Sequence, residues 1–257
     1  MPKTILLFFT IIISTSPLFA FGIDLYSAPD LLAGAEIFLL SDSPASAYYQ
    51  PAKEGNGISF SHSSPYGFSE LNIFNLAAQY KQISAGSIIL DNSIISEKIG
   101  YIGYFYGWNN INIGGNIRYY TQEIEGYDRL DAFTGNLGII WENKYFTNGF
   151  SFSNITNSSV KNIDIPSVWK YEALVTPFQK TAFALGLEKE KGFEMRYSFS
   201  GRQNITENFL IYTGFLANPS QFSAGLRIDI NKIGVLYGVR THQYLDYTQA
   251  VGVVYEF

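Results

Sequence analysis

From Gly57 to Phe257 this sequence alternates apolar and polar residues with a period of two, and a chain patterned this way has few folds open to it. Successive side chains on a strand point to opposite faces, so counting along the chain assigns each residue to a side. Ala224, Leu226, Ile228 and Ile230 fall on one side, while Gly225, Arg227, Asp229 and Asn231 fall on the other. Between 193 and 202 the residues are larger: Phe193, Met195, Tyr197 and Phe199 oppose Glu194, Arg196, Ser198, Ser200 and Arg202. Phe133, Leu137, Ile139 and Trp141 likewise oppose Thr134, Asn136, Gly138 and Glu142, and Ile113, Ile117 and Tyr119 oppose Asn112, Asn116, Arg118 and Gln122. Segments near 83–91, 101–108 and 209–217 alternate poorly.

Two all-β architectures show such a pattern, and they differ in which face is dry. A soluble sandwich turns its apolar face inward, whereas a membrane barrel turns it to lipid and keeps a polar or small inner face. Aromatic residues make up 17% of the chain and charged residues only 15%, well below the roughly 25% of soluble domains. The polar faces mix charges of both signs with Gly, Ser and Asn, which suits a crowded wet lumen. A closed barrel also gives every backbone N–H and C=O in hydrocarbon a partner and removes the sheet edges. The expectation is a transmembrane antiparallel up-and-down β-barrel of about 14 strands, near 57–63, 70–82, 83–91, 98–108, 110–124, 130–142, 146–154, 168–176, 181–189, 193–203, 207–217, 221–231, 233–244 and 247–257. Twelve strands result if two weak ones merge. An even count places both termini on one side, where barrels keep their short turns.

Residues 1–20 read as a signal peptide: Lys3 precedes an apolar core from Ile5 to Ile13, which Pro17 and Ala20 follow. That core is shorter than the roughly 20 residues a spanning helix needs. No transmembrane helix is expected, and the chain divides into a signal (1–20), an N-terminal segment (21–56) and the barrel (57–257). There is no cysteine, so packing and backbone pairing alone hold the exported fold. A net charge of -5 gives no reason to expect a nucleic-acid partner.

Both ends carry recognisable signals. Val251, Val253, Tyr255 and Phe257 form an apolar row ending in a terminal Phe, which resembles the mark read by the outer-membrane barrel-insertion machinery. Residues 33–52 include Gly34, Ala35, Asp42, Ala45, Tyr49, Gln50, Pro51 and Ala52. They resemble the hatch motif of the superfamily that joins FadL-type long-chain fatty-acid transporters with the PorV and PorQ proteins of type IX secretion, with Gln50 where Asn is usual. Ile165-Pro166-Ser167 and Ser223-Ala224-Gly225-Leu226 extend the resemblance. It implies a short plug folded inside the barrel in the outer membrane of a Gram-negative cell. It further implies transport of hydrophobic small molecules or, alternatively, a non-conducting barrel that docks secreted proteins. The expected partners are outer-membrane lipid, the insertion machinery and one of those two cargo classes.

Catalytic chemistry is not expected. His62-Ser63-Ser64 raises an esterase, but no acidic or amide group can be tied to His62 in the sequence. His242 reads as a residue of a hairpin tip, and no metal or cofactor site is evident. The charged candidates for the lumen are Arg118, Glu142, Glu194, Arg196, Arg202, Arg227 and Asp229. Such residues either select a solute or pair with one another and with the plug to hold the lumen closed. Asn154-Ile155-Thr156 and Asn204-Ile205-Thr206 read as loop residues.

Overall fold

A computed structural model of the protein describes residues 28–257 apart from 93, 161 and 162; the expected signal peptide lies outside the described residues. The strands are β1 (Gly57–Ser64), β2 (Ile73–Tyr80), β3 (Ile83–Asp91), β4 (Ile95–Trp108), β5 (Ile111–Ile124), β6 (Leu130–Glu142), β7 (Phe146–Ser153), β8 (Ser159–Val160), β9 (Ile163–Asp164), β10 (Val168–Phe178), β11 (Thr181–Glu190), β12 (Arg196–Asn204), β13 (Phe209–Ala217), β14 (Gln221–Ile230), β15 (Ile233–Arg240) and β16 (Thr248–Glu256). All but β8 and β9 close into one antiparallel barrel of fourteen strands, so the twelve-strand alternative falls. The seam joins first strand to last, with Gly57 opposite Glu256. β8 and β9 form a small hairpin within the connection from β7 to β10.

The two ends of the barrel differ. On the side of the carboxyl terminus the connections are short turns at 81–82, 109–110, 143–145, 179–180, 205–208 and 231–232. On the other side they include 65–72, 154–167 and 241–247. Short turns mark the periplasmic side of such barrels and longer loops the outside. Outward-facing Ile117, Phe133, Leu185 and Phe222 are all more than half exposed. A continuous belt of such side chains is stable only against hydrocarbon. The terminal row of Val251, Val253, Tyr255 and Phe257 belongs to this belt, and Phe257 packs edge-on against Tyr80 and Tyr255.

The strands whose alternation is weak have a shared physical reason. Ile88 and Leu90 in β3, Ile99, Tyr101 and Phe105 in β4, and Leu210, Tyr212 and Leu216 in β13 are buried on the inner face. Their outer faces meet lipid, so both faces are apolar and the period disappears. What they meet inside is the N-terminal segment. Two short helices, α1 (Pro29–Ala33) and α2 (Ser46–Tyr49), lie in a stretch from Ala28 to Ala52 that is buried except at Asp42 and partly at Tyr49. The stretch rises twice toward the loop end. One apex is Glu36, beside Arg240 and Arg196, and the other is Tyr48-Tyr49, beside Tyr120. Between these lobes the chain descends through Leu40 and Asp42 to Arg202.

Three glycines on adjacent strands make room where the segment leaves the lumen. A Cβ on Gly114 would collide with the Pro51 carbonyl oxygen, and one on Gly138 with Gln50 Oε1. On Gly149 it would lie 3.2 Å from Gln50 Nε2. Gln50 also donates to the Phe150 carbonyl at 3.2 Å. The longer amide in place of Asn thus lies flat across a wall thinned to backbone.

Two outcomes follow. Unboiled protein in SDS runs as a compact species and shifts on heating. Phe199→Arg, on the lipid face near the middle of β12, lowers stability by about 2–4 kcal/mol in urea unfolding from vesicles.

Candidate functional site

The plugged lumen divides into two chemically different halves. Strands β10 to β16 line the first, where the hatch turns sharply through Ala35 and Glu36, both at positive φ (48 and 64). Left-handed backbone at non-glycine residues costs about 1–2 kcal/mol each, and the ion pairs at Glu36 offset it. Its Oε1 accepts from Arg240 at 2.5 Å and its Oε2 from Arg196 at 3.0 Å. Lys170 Nζ donates to the Glu36 carbonyl and sits 3.4 Å from Glu172 and 3.5 Å from Glu188. Glu188 in turn pairs with Arg196 at 2.7 Å. Three anions and three cations therefore balance. Glu172 accepts the backbone N–H groups of Phe38 and Leu39 at 2.9 Å each, and Arg240 donates to the carbonyl of Leu32. Hatch backbone, hatch carboxylate and wall charges form one network.

Strands β2 to β6 line the other half with apolar groups. Ile73, Ala77, Ile88, Leu90, Ile99, Tyr101, Tyr120 and Ala132 pack against Ala45, Tyr48 and Phe38 of the hatch. The rings order themselves by their quadrupoles. Phe38 and Tyr49 stack at 4.6 Å, and Tyr48 meets Tyr49 and Tyr101 edge-on. Toward the loop end, Tyr49, Leu71, Ile95, Leu130 and Ile165 continue this surface and are only partly buried. They form an apolar cup that opens outward. The polar members here are Gln122, which donates to Glu97, and Arg118, whose guanidinium lies 3.6 Å above the Tyr48 ring and donates to the Tyr48 carbonyl.

At the turn end an open chamber of about 530 Å³ lies between Glu54, Lys81, Gln82, Phe105, Asn109 and Asn112. Beside α1, between the hatch and the β1–β16 wall, the space is about 10 Å³, room for one water.

The structure brings three of the seven charged candidates to the hatch. Arg196 holds Glu36, Arg202 holds Asp42 at 2.6 Å, and Arg118 holds Tyr48. Arg227 pairs with Asp229 at 2.7 Å and Glu256 at 2.5 Å near the turn end. Glu194 is elsewhere: β12 begins at Arg196, which leaves Glu194 exposed in the 191–195 loop. Glu142 closes β6 at the turn end and is exposed. Gly34 and Ala35 pack on the Ser200 hydroxyl and on Gly214. Glu36, Lys170, Glu172, Glu188 and Arg240 are not among the sequence candidates. The alternation of Lys170 and Glu172 with Trp169 and Tyr171 is the signal that reveals the two on β10.

His242 lies in the 241–247 hairpin tip and Asn154 in the 154–167 loop as expected, while His62 differs from expectation. His62 does have an amide partner, Asn72 Oδ1 at 2.8 Å, and Asn72 donates to the Ser69 carbonyl. Among the described residues no hydroxyl hydrogen-bonds this ring, so the pair caps a loop without aligning a nucleophile. His242 Nδ1 accepts the N–H groups of Tyr244 and Leu245, and burial pushes the imidazole pKa down, which keeps it the acceptor its loop needs. Asn154 is buried and organises the 154–167 loop: its Oδ1 accepts from Thr156 and Ser158, and its Nδ2 donates to the Ile165 carbonyl.

No family profile matches this sequence, and no curated protein matches it either. Solved structures do match in fold. A TodX monoaromatic hydrocarbon channel mutant superposes with a TM-score of 0.66 at 9% identity, over 92% of this chain and 100% of that one. The toluene transporter TodX of Pseudomonas putida gives 0.61 at 9%, over 90% and 98%. The CymD monoaromatic hydrocarbon channel gives 0.57 at 10%, over 93% and 99%. The shared fold is a transmembrane β-barrel.

Glu36→Ala leaves Arg196 and Arg240 facing each other without their common anion. A loss of about 3–5 kcal/mol is expected, because removing one partner strands buried charge. Unfolding in vesicles measures the loss, and new proteolysis within residues 28–52 reports an undocked hatch.

Proposed function

We propose that this protein is a hatch-closed outer-membrane channel for hydrophobic small molecules. The observation that carries the reading is the apolar, aromatic half of the lumen. It begins at the outward cup of Tyr49, Leu71, Ile95, Leu130 and Ile165 and continues along Tyr48 and Tyr101, on the opposite side from the ion network. A hydrocarbon entering the cup meets mainly aliphatic and aromatic surface, and the charged groups of this half, Arg118 and Glu97, are already engaged by Tyr48 and Gln122. At the turn end an open cleft of about 530 Å³ lined by Glu54, Lys81 and Asn112 adjoins the end of the hatch segment. The fold shared with proteins described as monoaromatic hydrocarbon channels supports the same cargo class, small aromatic hydrocarbons included.

The test uses vesicles with lipopolysaccharide in the outer leaflet, a poor solvent for hydrocarbons. Vesicles carrying the protein take up radiolabelled toluene faster than empty ones, and equal rates refute the channel.

One observation favours a second reading. The hatch fills the lumen and is bound to it by buried ion pairs, as suits a closed barrel of the PorV and PorQ kind that docks exported proteins on its loops. In that case crosslinking in native membranes recovers one defined exported partner, and vesicles carrying the protein stay as impermeable as empty ones.

A further inference from the structure

The hatch is held differently on its two sides. The lobe around Glu36 is bound by charge, and a hydrophobic molecule has nothing to offer Arg196 or Arg240 in exchange. The lobe from Ser43 to Ala52 contains no charged residue. Its Ala45 and Tyr48 lie among aliphatic and aromatic wall residues, contacts that a hydrocarbon reproduces.

Besides Arg118 on the Tyr48 ring and carbonyl, what fixes this second lobe is a relay of buried amides. Asn116 Nδ2 donates to the carbonyls of Ala47 at 3.1 Å and Tyr48 at 2.9 Å. Asn116 Oδ1 accepts from Asn136 Nδ2 at 2.5 Å, and Asn136 Oδ1 accepts the backbone N–H of Asn154 at 2.9 Å. Both ends of the relay are backbone groups, which settles its direction. A carbonyl only accepts, so Asn116 must turn its NH₂ to the hatch; the Asn154 N–H only donates, so Asn136 must turn its oxygen to the loop. Each assignment requires the other.

The outer end of the relay carries the loop that roofs the cup. Beyond Ser153, β7 has ended while β6 continues upward, and the loop covers that edge through Ile155 N–H to the Gly135 carbonyl and Ser158 Oγ to the Phe133 carbonyl. Asn154 Nδ2 holds the Ile165 carbonyl at 2.5 Å, and the Ile165 side chain packs on the cup.

We propose that the Ser43–Ala52 lobe alone is the moving gate, and that Asn116, Asn136 and Asn154 are its latch, released when a hydrophobic solute wedges beneath Ile165. This rests on the channel reading above. Lifting the loop withdraws the Asn154 N–H from Asn136. The Asn136 oxygen then lacks its donor, the relay no longer ties the lobe to the loop, and what is left of it is the pair of Asn116 bonds to the Ala47 and Tyr48 carbonyls. The Glu36 lobe stays docked throughout, so the hatch hinges rather than leaves.

Asn136→Asp tests the latch in the lipopolysaccharide vesicles. Aspartate still accepts from Asn154 but cannot donate to Asn116, so the relay is reversed at its centre while the loop contact remains. Toluene uptake should rise about tenfold over wild type, the effect of converting a donor to an acceptor at one site. The chain is free of cysteine, so paired cysteines identify the moving lobe. Oxidised Ala47→Cys/Asn116→Cys should stop uptake, reduction should restore it, and oxidised Ala33→Cys/Ser223→Cys should leave uptake running. Heat-dependent migration confirms that each variant is folded. Uptake by Asn136→Asp equal to wild type, or a block by the Ala33/Ser223 crosslink, overturns the latch while leaving the channel standing. Wild-type uptake equal to that of empty vesicles overturns the channel itself.

Discussion

The arrangement inside the barrel depends on the burial of the Glu36 carboxylate. An isolated anion at that depth is untenable, and one matched by nearby cations is stable only while each stays in place. Arg196, Arg240 and Lys170 come from β12, β15 and β10, so one hatch residue binds three separate parts of the wall. Glu172 and Glu188 neutralise what Glu36 does not. The network specifies where the hatch sits, because a displacement of one residue would leave a charge unmatched on either side.

Concentrating the Glu36 network in one half leaves the other mainly apolar, with Arg118 and the Gln122–Glu97 pair as its polar exceptions. There the wall and the hatch meet through rings and aliphatic side chains, with amides supplying direction. Polar and apolar recognition are thus separated by angle around the barrel axis. A porin interior wetted all round offers no such sheltered sector to a hydrocarbon. The proposed cargo follows from this separation rather than from any single side chain.

Much of the barrel was legible because lipid imposes a strict code. The outer faces of β12 and β14 can be read by counting, and turn spacing suffices for the fourteen strands. The code weakens where the hatch replaces water as the inner neighbour, so β3, β4 and β13 read ambiguously though they are as regular as the rest. Glu36 reads in the sequence only as a break in the apolar run from Leu31 to Leu40. Its partners lie 134 to 204 residues away, a separation that spacing rules do not reach. Glu194 was assigned inward because the strand was expected to begin near 193, and three residues of boundary error moved it from a loop into the wall. Asn154 has a common surface composition around it; its importance comes from the early end of β7, which no local pattern announces.

The seam between β1 and β16 has one more consequence. The hatch immediately precedes β1, and its contacts are divided between strands of the first half of the barrel and strands of the last. Neither half alone presents a complete surface to it, and once β1 has zipped to β16 the cylinder is shut. A hatch that takes its seat while the final strand is still open has the wall close around it as staves close around a former.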